Sequence, residues 1–198
     1  MSVQARCAER CRETKETSVR VKLSLDGSGE AEVSTGIGFF DHMLTALARH
    51  GLFDLSIQAT GDLHVDTHHT VEDVGIVLGQ ALAEALGDRQ GIRRFGDSTV
   101  AMDEALVLAA VDLSGRPCAR VALDLEVQRV GEFETETATG FFVALANAGG
   151  MNLHLVRLAG DNTHHVLEAA FKALARALDD ATRPDSRVTR VPSTKGIL

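Results

Sequence analysis

The sequence predicts an α+β fold in which one strand-strand-helix-strand-helix unit occurs twice, with helices covering one face of mostly antiparallel sheets. In both halves, segments with alternating polar and apolar residues are followed by segments with helical spacing of apolar residues. A five-residue pattern, two adjacent histidines with a glutamate three residues later, also occurs once in each half. We therefore divide the chain into a first repeat (1–95), a second repeat (96–185) and a C-terminal tail (186–198).

The first half begins with a clear strand pattern. Residues 17–25 alternate polar and apolar side chains, and Asp26-Gly27-Ser28-Gly29 predicts a hairpin turn into a second strand over residues 30–34. Apolar residues at helical spacing then predict a helix over residues 36–50 that ends at Gly51. A further strand and a further helix are predicted over residues 53–59 and 70–86.

The second half repeats this order of elements. The predicted strands cover residues 98–102, 105–113, 117–128 and 151–158, and the predicted helices cover residues 136–147 and 164–181. The tripeptide Gly38-Phe39-Phe40 in the first half has a counterpart, Gly140-Phe141-Phe142, in the second. The last residue of each tripeptide precedes its histidine pair by 28 residues in the first half and by 22 in the second, and this similar spacing supports an internal duplication.

Composition excludes several classes of function. The net charge is −8, the chain has neither Trp nor Tyr, and it has no basic cluster, which argues against binding to nucleic acid. No apolar run approaches the length of a membrane span. Three cysteines without metal-type spacing or an even disulfide framework favour a reducing cytoplasm. A small anionic substrate remains compatible with this charge, because local arginines can act against an acidic background.

The two histidine patterns are the strongest indication of function. His68 and Glu72 are spaced i and i+4 and share one helix face, whereas His69 points about a quarter turn away. The same spacing recurs in a second set: His164, His165 and Glu168. One such pair is more often a solvated helix start, but its repetition favours metal ligation, and each copy can serve two neighbouring ions. Whether the two sets meet within one chain or across a subunit contact is left open.

Several ordered motifs together resemble the imidazoleglycerol-phosphate dehydratase family over nearly the whole chain. They are Phe40-Asp41-His42-Met43-Leu44, His68 to Asp73, Gly91 to Gly96, Met102-Asp103-Glu104, Asp112 to Pro117, His164 to Ala173, and Pro192 to Gly196. The resemblance is to the monofunctional form. It implies a ribosomal S5 domain 2-like fold, a cytoplasmic lyase of histidine biosynthesis, and a homo-oligomer of 24 subunits built from trimers.

The resemblance also implies a reaction and its residues. Imidazole glycerol phosphate loses water to give imidazole acetol phosphate, with two manganese ions stabilising an imidazolate intermediate. The implied metal ligands are His42, His68, His69, Glu72, His164, His165 and Glu168. The implied proton-handling residue is Glu16, which without the family would be read as a solvated charge. The implied substrate-binding residues are Arg94, Arg116, Lys172, Ser193, Thr194 and Lys195, whose cations suit a phosphate dianion.

One position departs from the family pattern. The family commonly has a ligating side chain immediately before the second Phe-Phe pair, where this chain has Gly140. We therefore expect weaker metal binding at one site, with water, substrate, Glu134 or Glu136 in place of that ligand. Two other classes use the same residues: a metal-dependent hydrolase with a metal-bound hydroxide, and a non-catalytic metal-binding assembly protein.

Overall fold

The structure, a computed structural model, describes residues 6–196. In chain order its elements are β1 (Cys7–Glu13), β2 (Thr17–Ser24), β3 (Ala31–Ser34), α1 (Gly38–Gly51), β4 (Asp54–Gly61), α2 (His68–Leu86), β5 (Phe95–Met102), β6 (Ala105–Asp112), β7 (Cys118–Ala122), β8 (Arg129–Val130), β9 (Phe133–Glu134), α3 (Glu136–Gly149), β10 (Asn152–Ala159) and α4 (Thr163–Thr182). Among the helices within these residues, none combines the length and the apolar character that a membrane span needs.

Eight of the ten described strands form two four-stranded sheets with the same internal order, and β8 pairs with β9 in a separate two-stranded sheet. The first sheet has the order β1-β2-β4-β3 and the second has the order β5-β6-β10-β7. Within these two four-stranded sheets, four of the six strand pairs are antiparallel, whereas β3 with β4 and β7 with β10 are parallel. The predicted fold class is therefore confirmed, and each four-stranded sheet contains one strand more than the predicted unit. The boundaries assigned to the two repeats and the tail stay a prediction.

The predicted hairpin between β2 and β3 is wrong. β3 pairs in parallel with β4 and has no ladder with β2, because β4 lies between them. The loop that follows β2 is tied instead to the beginning of β4, where the Asp54 carboxylate accepts hydrogen bonds from the backbone N–H groups of Ser28 and Glu30 at 2.8 and 3.1 Å. These bonds direct the chain across the end of β4, so the Asp-Gly-Ser-Gly sequence makes a crossover loop.

The strand β1 was not predicted. It lies at the edge of the first sheet, and all of its residues except Ala8 are exposed. A strand with water on most of its surface carries no hydrophobic alternation, which is the pattern that identifies a half-buried strand in a sequence.

The four helices pack between the two sheets. α2 lies against β1 and β2 of the first sheet, and α4 lies against β5 and β6 of the second. Across the middle layer, α2 packs on α3 and α1 packs on α4. The rings of Phe133, Phe40, Phe141 and Phe171 are fully buried and contact one another in that order, with centroid separations of 5.3 to 5.7 Å. The Phe40–Phe141 contact is edge to face, and the other two are stacked. These contacts connect α1, α3 and α4 in the interior of the molecule.

Glycines allow α2 and α3 to approach closely. A Cβ atom added at Gly75 would lie 2.8 Å from the carbonyl oxygen of Phe141, and one added at Gly79 would lie 2.6 Å from that of Leu145. Both neighbours are backbone atoms of α3 and cannot move without moving the helix. Any side chain at these two positions would therefore separate the helices.

We expect Gly79→Ala to lower the free energy of unfolding by about 1–3 kcal/mol, the usual effect of overpacking a close contact. Gly140→Ala, in the other helix of the same pair, is the matched control, because a Cβ added at Gly140 has nothing within 4 Å. Alanine has a better helix propensity than glycine, so the free energy of unfolding should stay unchanged or rise by up to about 1 kcal/mol. Urea denaturation of the metal-free proteins at one protein concentration measures both. Equal effects of the two substitutions would contradict this account of the interface.

Candidate metal and substrate site

Three of the predicted metal ligands meet within one chain. His42 comes from α1, and His164 and Glu168 come from the first two turns of α4. The Nε2 atoms of His42 and His164 lie 3.3 and 3.2 Å from Oε2 of Glu168. One ligand atom from each residue can be chosen so that all three lie within 4.8 Å of one another. We call these three residues the α4 cluster.

The carboxylate of the α4 cluster is buried and ionised. Burial raises the pKa of Glu168, but the hydrogen bond and charge of Lys172 and the hydrogen bonds to the two histidines outweigh burial and hold the pKa at about 2. Lys172 Nζ lies 2.6 Å from Oε1, one helical turn along α4. Oε2 therefore faces the histidines while Oε1 is held by the lysine.

The start of α4 is built by a side-chain cap. The Oδ1 atom of Asn162 accepts hydrogen bonds from the backbone N–H groups of His164 and His165, at 3.0 and 3.4 Å. Glu104, in the turn between β5 and β6, accepts the backbone N–H of Asn162 at 3.0 Å. The cap satisfies backbone donors that have no partner inside the helix, and it fixes the helix start that carries both histidines.

The first-half ligands form a second, separate group. His68 Nε2 lies 3.5 Å from Oε2 of Glu72, so the predicted i, i+4 facing is confirmed. The pair lines a cavity of about 340 Å³ together with Glu136 and Gly140. We call this pair the α2 cluster. The only three-residue ligand group within residues 6–196 is the α4 cluster, so the structure does not bring the two sets together in one chain.

Gly140 lies where a side chain would face the α2 cluster. A Cβ added at this position meets nothing within 4 Å, so the cavity has room for one. Of the two carboxylates considered as replacements, Glu134 is occupied elsewhere: it accepts hydrogen bonds from the N–H and hydroxyl groups of Thr67 and pairs with Arg129. Glu136 lines the cavity itself. Weaker metal binding here stays a prediction.

Glu16 lies in the short turn between β1 and β2, close to His69. Its Oε2 atom is 3.8 Å from Nδ1 of His69, and its side chain is exposed. The hydroxyl of Thr14 accepts the backbone N–H of Glu16 at 3.1 Å, and Asp73 of α2 binds both Thr17 and Arg12 on either side of the turn. The turn is thus attached to the helix that carries His69.

The second histidine of each pair contacts a carboxylate that sequence reasoning missed. His69 Nδ1 is 3.0 Å from Oδ2 of Asp62, and His165 Nδ1 is 2.7 Å from Oε2 of Glu104. The hydrogen bond to Asp62 raises the pKa of His69, and the hydrogen bond to Glu104 raises the pKa of His165. Glu104 stands inside a motif used for the family resemblance, but no spacing rule connects it to His165, because the contact is tertiary.

Five of the six predicted substrate-binding residues line one cavity. Its volume is about 480 Å³, and its walls comprise Arg94, Phe95, Arg116, Pro192, Ser193, Thr194 and Lys195. Arg94 is partly committed: its guanidinium forms a two-point ion pair with Asp112 at 2.7 and 3.1 Å and donates to the carbonyl of Pro192 at 2.7 Å. The hydrogen bond to Pro192 holds the C-terminal segment against the cavity.

Lys172 lies far from this cavity. It contacts Glu168 and the sulfur of Met102, at the end of β5, whereas Arg94 and Phe95 stand at the beginning of that strand. An eight-residue strand is about 23 Å long at about 3.3 Å per residue. In one chain the cation-lined cavity and the α4 cluster are therefore separated by roughly that length.

The donor set of the α4 cluster fits a divalent ion. Adjacent ligands on an octahedral ion with bonds of about 2.1 Å stand about 3 Å apart. The two histidine-to-glutamate separations of 3.3 and 3.2 Å are close to that value. Imidazole and carboxylate donors suit Mn(II) among other divalent metals, and the set leaves coordination positions for further ligands.

These features define a duplicated α+β protein with histidine-carboxylate clusters at its helix starts and a separate cavity lined by cations. The family model for imidazoleglycerol-phosphate dehydratase matches residues 35–178. Imidazoleglycerol-phosphate dehydratase from Acetivibrio thermocellus is 57% identical over 187 residues, covering 94% of this chain and 96% of that one. The enzyme of the same name from Paracoccus denitrificans is 56% identical over 194 residues, covering 98% and 100%.

Solved structures agree with the sequence relatives. The crystal structure of this dehydratase from Pyrococcus furiosus, in complex with (S)-C348, superimposes with a TM-score of 0.83 at 40% identity, covering 96% of this chain and 100% of that one. The Staphylococcus aureus structure gives 0.82 at 36% identity, covering 90% and 99%. The chain belongs to the imidazoleglycerol-phosphate dehydratase family. It is an enzyme, a dehydratase of the lyase class that acts in histidine biosynthesis.

The buried carboxylate predicts a pH-dependent stability of the metal-free protein. The pKa of folded Glu168, about 2, lies below its ordinary value of 4.5, so its ionised form stabilises the fold above pH 4.5 and this stabilisation is lost as the pH falls toward 2. We expect Glu168→Gln to lower the free energy of unfolding at pH 7 by about 1–3 kcal/mol, because Lys172 loses its charged partner. The difference from the unsubstituted protein should shrink below pH 4.5.

Glu72→Gln is the matched control for this experiment. Its carboxylate has the same position relative to the histidine pair but is exposed, so a loss below about 1 kcal/mol is expected. Urea denaturation between pH 3 and pH 7 measures both variants. A Glu168→Gln effect that is independent of pH would show that the lost contact is not ionic.

Proposed function

We propose that this enzyme removes water from imidazole glycerol phosphate to give imidazole acetol phosphate, with two manganese ions in each active site. The observation that carries the metal requirement is the α4 cluster, in which two imidazole nitrogens converge on one carboxylate oxygen. The ligands assigned to the ions are His42, His68, His69, Glu72, His164, His165 and Glu168. When bound, manganese supplies Lewis acidity to the substrate's imidazole ring and orients its hydroxyl group.

The protein residues have distinct tasks in this proposal. Glu16 moves the proton, because it is an exposed carboxylate beside a ligand histidine, in a turn that Asp73 fixes in place. Arg116 and Lys195 bind the phosphate, and Ser193 and Thr194 add hydrogen-bond donors from the segment that Arg94 fastens. Lys172 keeps Glu168 ionised and oriented.

Each active site combines residues from more than one copy of the chain. The phosphate cavity and the α4 cluster stand about 23 Å apart in one chain, roughly the length of β5. A small phosphorylated imidazole substrate cannot span that length, so a neighbouring copy must supply one of the two parts. This requirement supports a homo-oligomer, for which we propose 24 subunits built from trimers, located in the cytoplasm.

Metal-dependent turnover tests the proposal. We expect chelator-treated protein to leave imidazole glycerol phosphate unchanged and Mn(II) to restore formation of imidazole acetol phosphate, detected directly by mass spectrometry. Glu16→Gln should keep the Mn(II) content and lower turnover at least about a hundredfold, the lower range for loss of a general acid or base.

Glu13→Gln is the matched control, because Glu13 is an exposed carboxylate at the end of β1, just before the turn that carries Glu16, and this variant should retain turnover. Full turnover in Glu16→Gln would remove Glu16 from its assigned role. Product formation without any divalent metal would refute the metal assignment, and release of inorganic phosphate instead of the dehydrated product would favour a hydrolase.

Subunit mixing tests the sharing of sites. Arg116→Ala and His164→Ala should each abolish turnover, whereas oligomers assembled from both together should recover about one quarter of the activity, because a quarter of randomly formed sites receive two intact parts. Arg116→Ala mixed with Lys195→Ala is the control: both residues line one cavity of one chain, so no recovery is expected. A mixture of the first two variants that co-assembles but stays inactive would place each complete site within one chain.

A further inference from the structure

The second histidine of each pair is held in the same way by an acid from outside its helix. Asp62 follows β4, with both oxygens within 3.3 Å of Nδ1 of His69. Glu104, between β5 and β6, reaches Nδ1 of His165 at 2.7 Å. The first histidines differ: His68 and His164 direct Nε2 toward the glutamate one turn along their own helix.

The two holding acids do not occupy equivalent places in the duplicated fold. The counterpart of Glu104, in the turn between the first two strands of a sheet, is Glu16, and Glu16 lies 3.8 Å from Nδ1 of His69. Asp62 occupies a different place, directly after β4, the fourth strand of its half. The same contact on the same ring atom is thus made by residues from two different parts of the repeat.

A carboxylate on one ring nitrogen determines what the other nitrogen can do. Because a carboxylate only accepts, Nδ1 of the neutral imidazole must carry the hydrogen, and the lone pair is left on Nε2. Among the described residues Nε2 of His165 makes no hydrogen bond, and the exposed Asp103 lies 3.6 Å from it, beyond hydrogen-bond distance. The lone pair therefore remains available to a ligand.

We propose that Asp62 and Glu104 are positioning residues, which fix the Nδ1–H tautomer of His69 and His165 so that Nε2 is the atom each presents to a metal ion. This inference rests on the proposed metal-dependent function and adds two residues to it. Neither acid touches the substrate or the ion. Each acts through its histidine, by holding the ring in one orientation and one tautomer before the metal arrives.

The test measures metal binding without substrate. We expect Asp62→Asn and Glu104→Gln to weaken Mn(II) binding by roughly 10–100-fold, the usual effect of removing such a partner. Electron paramagnetic resonance of free Mn(II) measures the affinity of the full-length protein. Glu104→Asp, which keeps an acceptor-only group, should recover part of the loss. Asp161→Asn removes one exposed negative charge beside the same helix start and should leave the affinity unchanged.

A purely structural role is distinguished by two further readouts. Glu104 also accepts the N–H of Asn162, so the melting temperature of each metal-free variant is measured beside its affinity. Cobalt(II) absorption then reports the ligand set: loss of a nitrogen donor changes the visible spectrum of the variants, whereas simple destabilisation leaves the spectrum of the folded fraction as it was. If Glu104→Gln does not fold, Asp62→Asn tests the positioning role independently in the first half of the fold.

The outcomes separate this inference from the proposed function. Unsubstituted protein that binds no divalent metal would overturn both. Unsubstituted protein that binds Mn(II) and turns over, with Asp62→Asn and Glu104→Gln binding equally well and giving the same cobalt spectrum, would overturn the positioning role alone. Weaker binding with an altered cobalt spectrum, unmatched by Asp161→Asn, would support it.

Discussion

The packing of four helices between two sheets determines where the histidines can lie. α2 and α3 approach so closely that glycine is required at Gly75 and Gly79. That approach puts the start of α3, with Gly140, beside His68 and Glu72. On the other side, α1 packs on α4 and brings His42 from a different helix to Glu168. The positions of both clusters thus depend on contacts between helices.

The sequence predicted what short-range periodicity determines. The four helices and most strands follow from apolar spacing, because each buries one face in the middle layer. It did not predict the edge strand β1, whose exposure removes the alternation, or the parallel pairing of β3 with β4, which depends on a loop bound by Asp54. In the candidate site, spacing predicted the facing of His68 and Glu72. It could not reveal Asp62 or Glu104, because they reach the histidines only after the chain has folded.

The cation-lined cavity shows how an acidic chain can offer a site to an anion. The net charge is −8, but attraction at short range depends on the groups that face the cavity. Arg94 is already neutralised by Asp112 and uses a third donor to hold Pro192, so its main effect is to order the C-terminal segment. Arg116 and Lys195 are exposed and without such a two-point partner among the described residues, and they supply the local positive charge. Within the cavity the charge of Arg94 is thus paired by Asp112, whereas Arg116 and Lys195 supply the positive charge that the proposed phosphate binding uses.

Glu16 and Glu104 occupy equivalent turns in the two halves but differ in their contacts with the histidines. Glu104 hydrogen-bonds His165 and receives backbone N–H groups, which lower its pKa to about 2. A carboxylate with so low a pKa is a poor proton acceptor near neutral pH. Its counterpart Glu16 is not needed for this contact, because Asp62 already holds His69 at 3.0 Å while Glu16 stays at 3.8 Å. The turn of the first half therefore leaves Glu16 exposed, whereas the carboxylate of Glu104 in the second half is hydrogen-bonded to His165. The roles proposed for these two acids, proton transfer by Glu16 and orientation of His165 by Glu104, rest on this difference, which the contact of Asp62 with His69 produces.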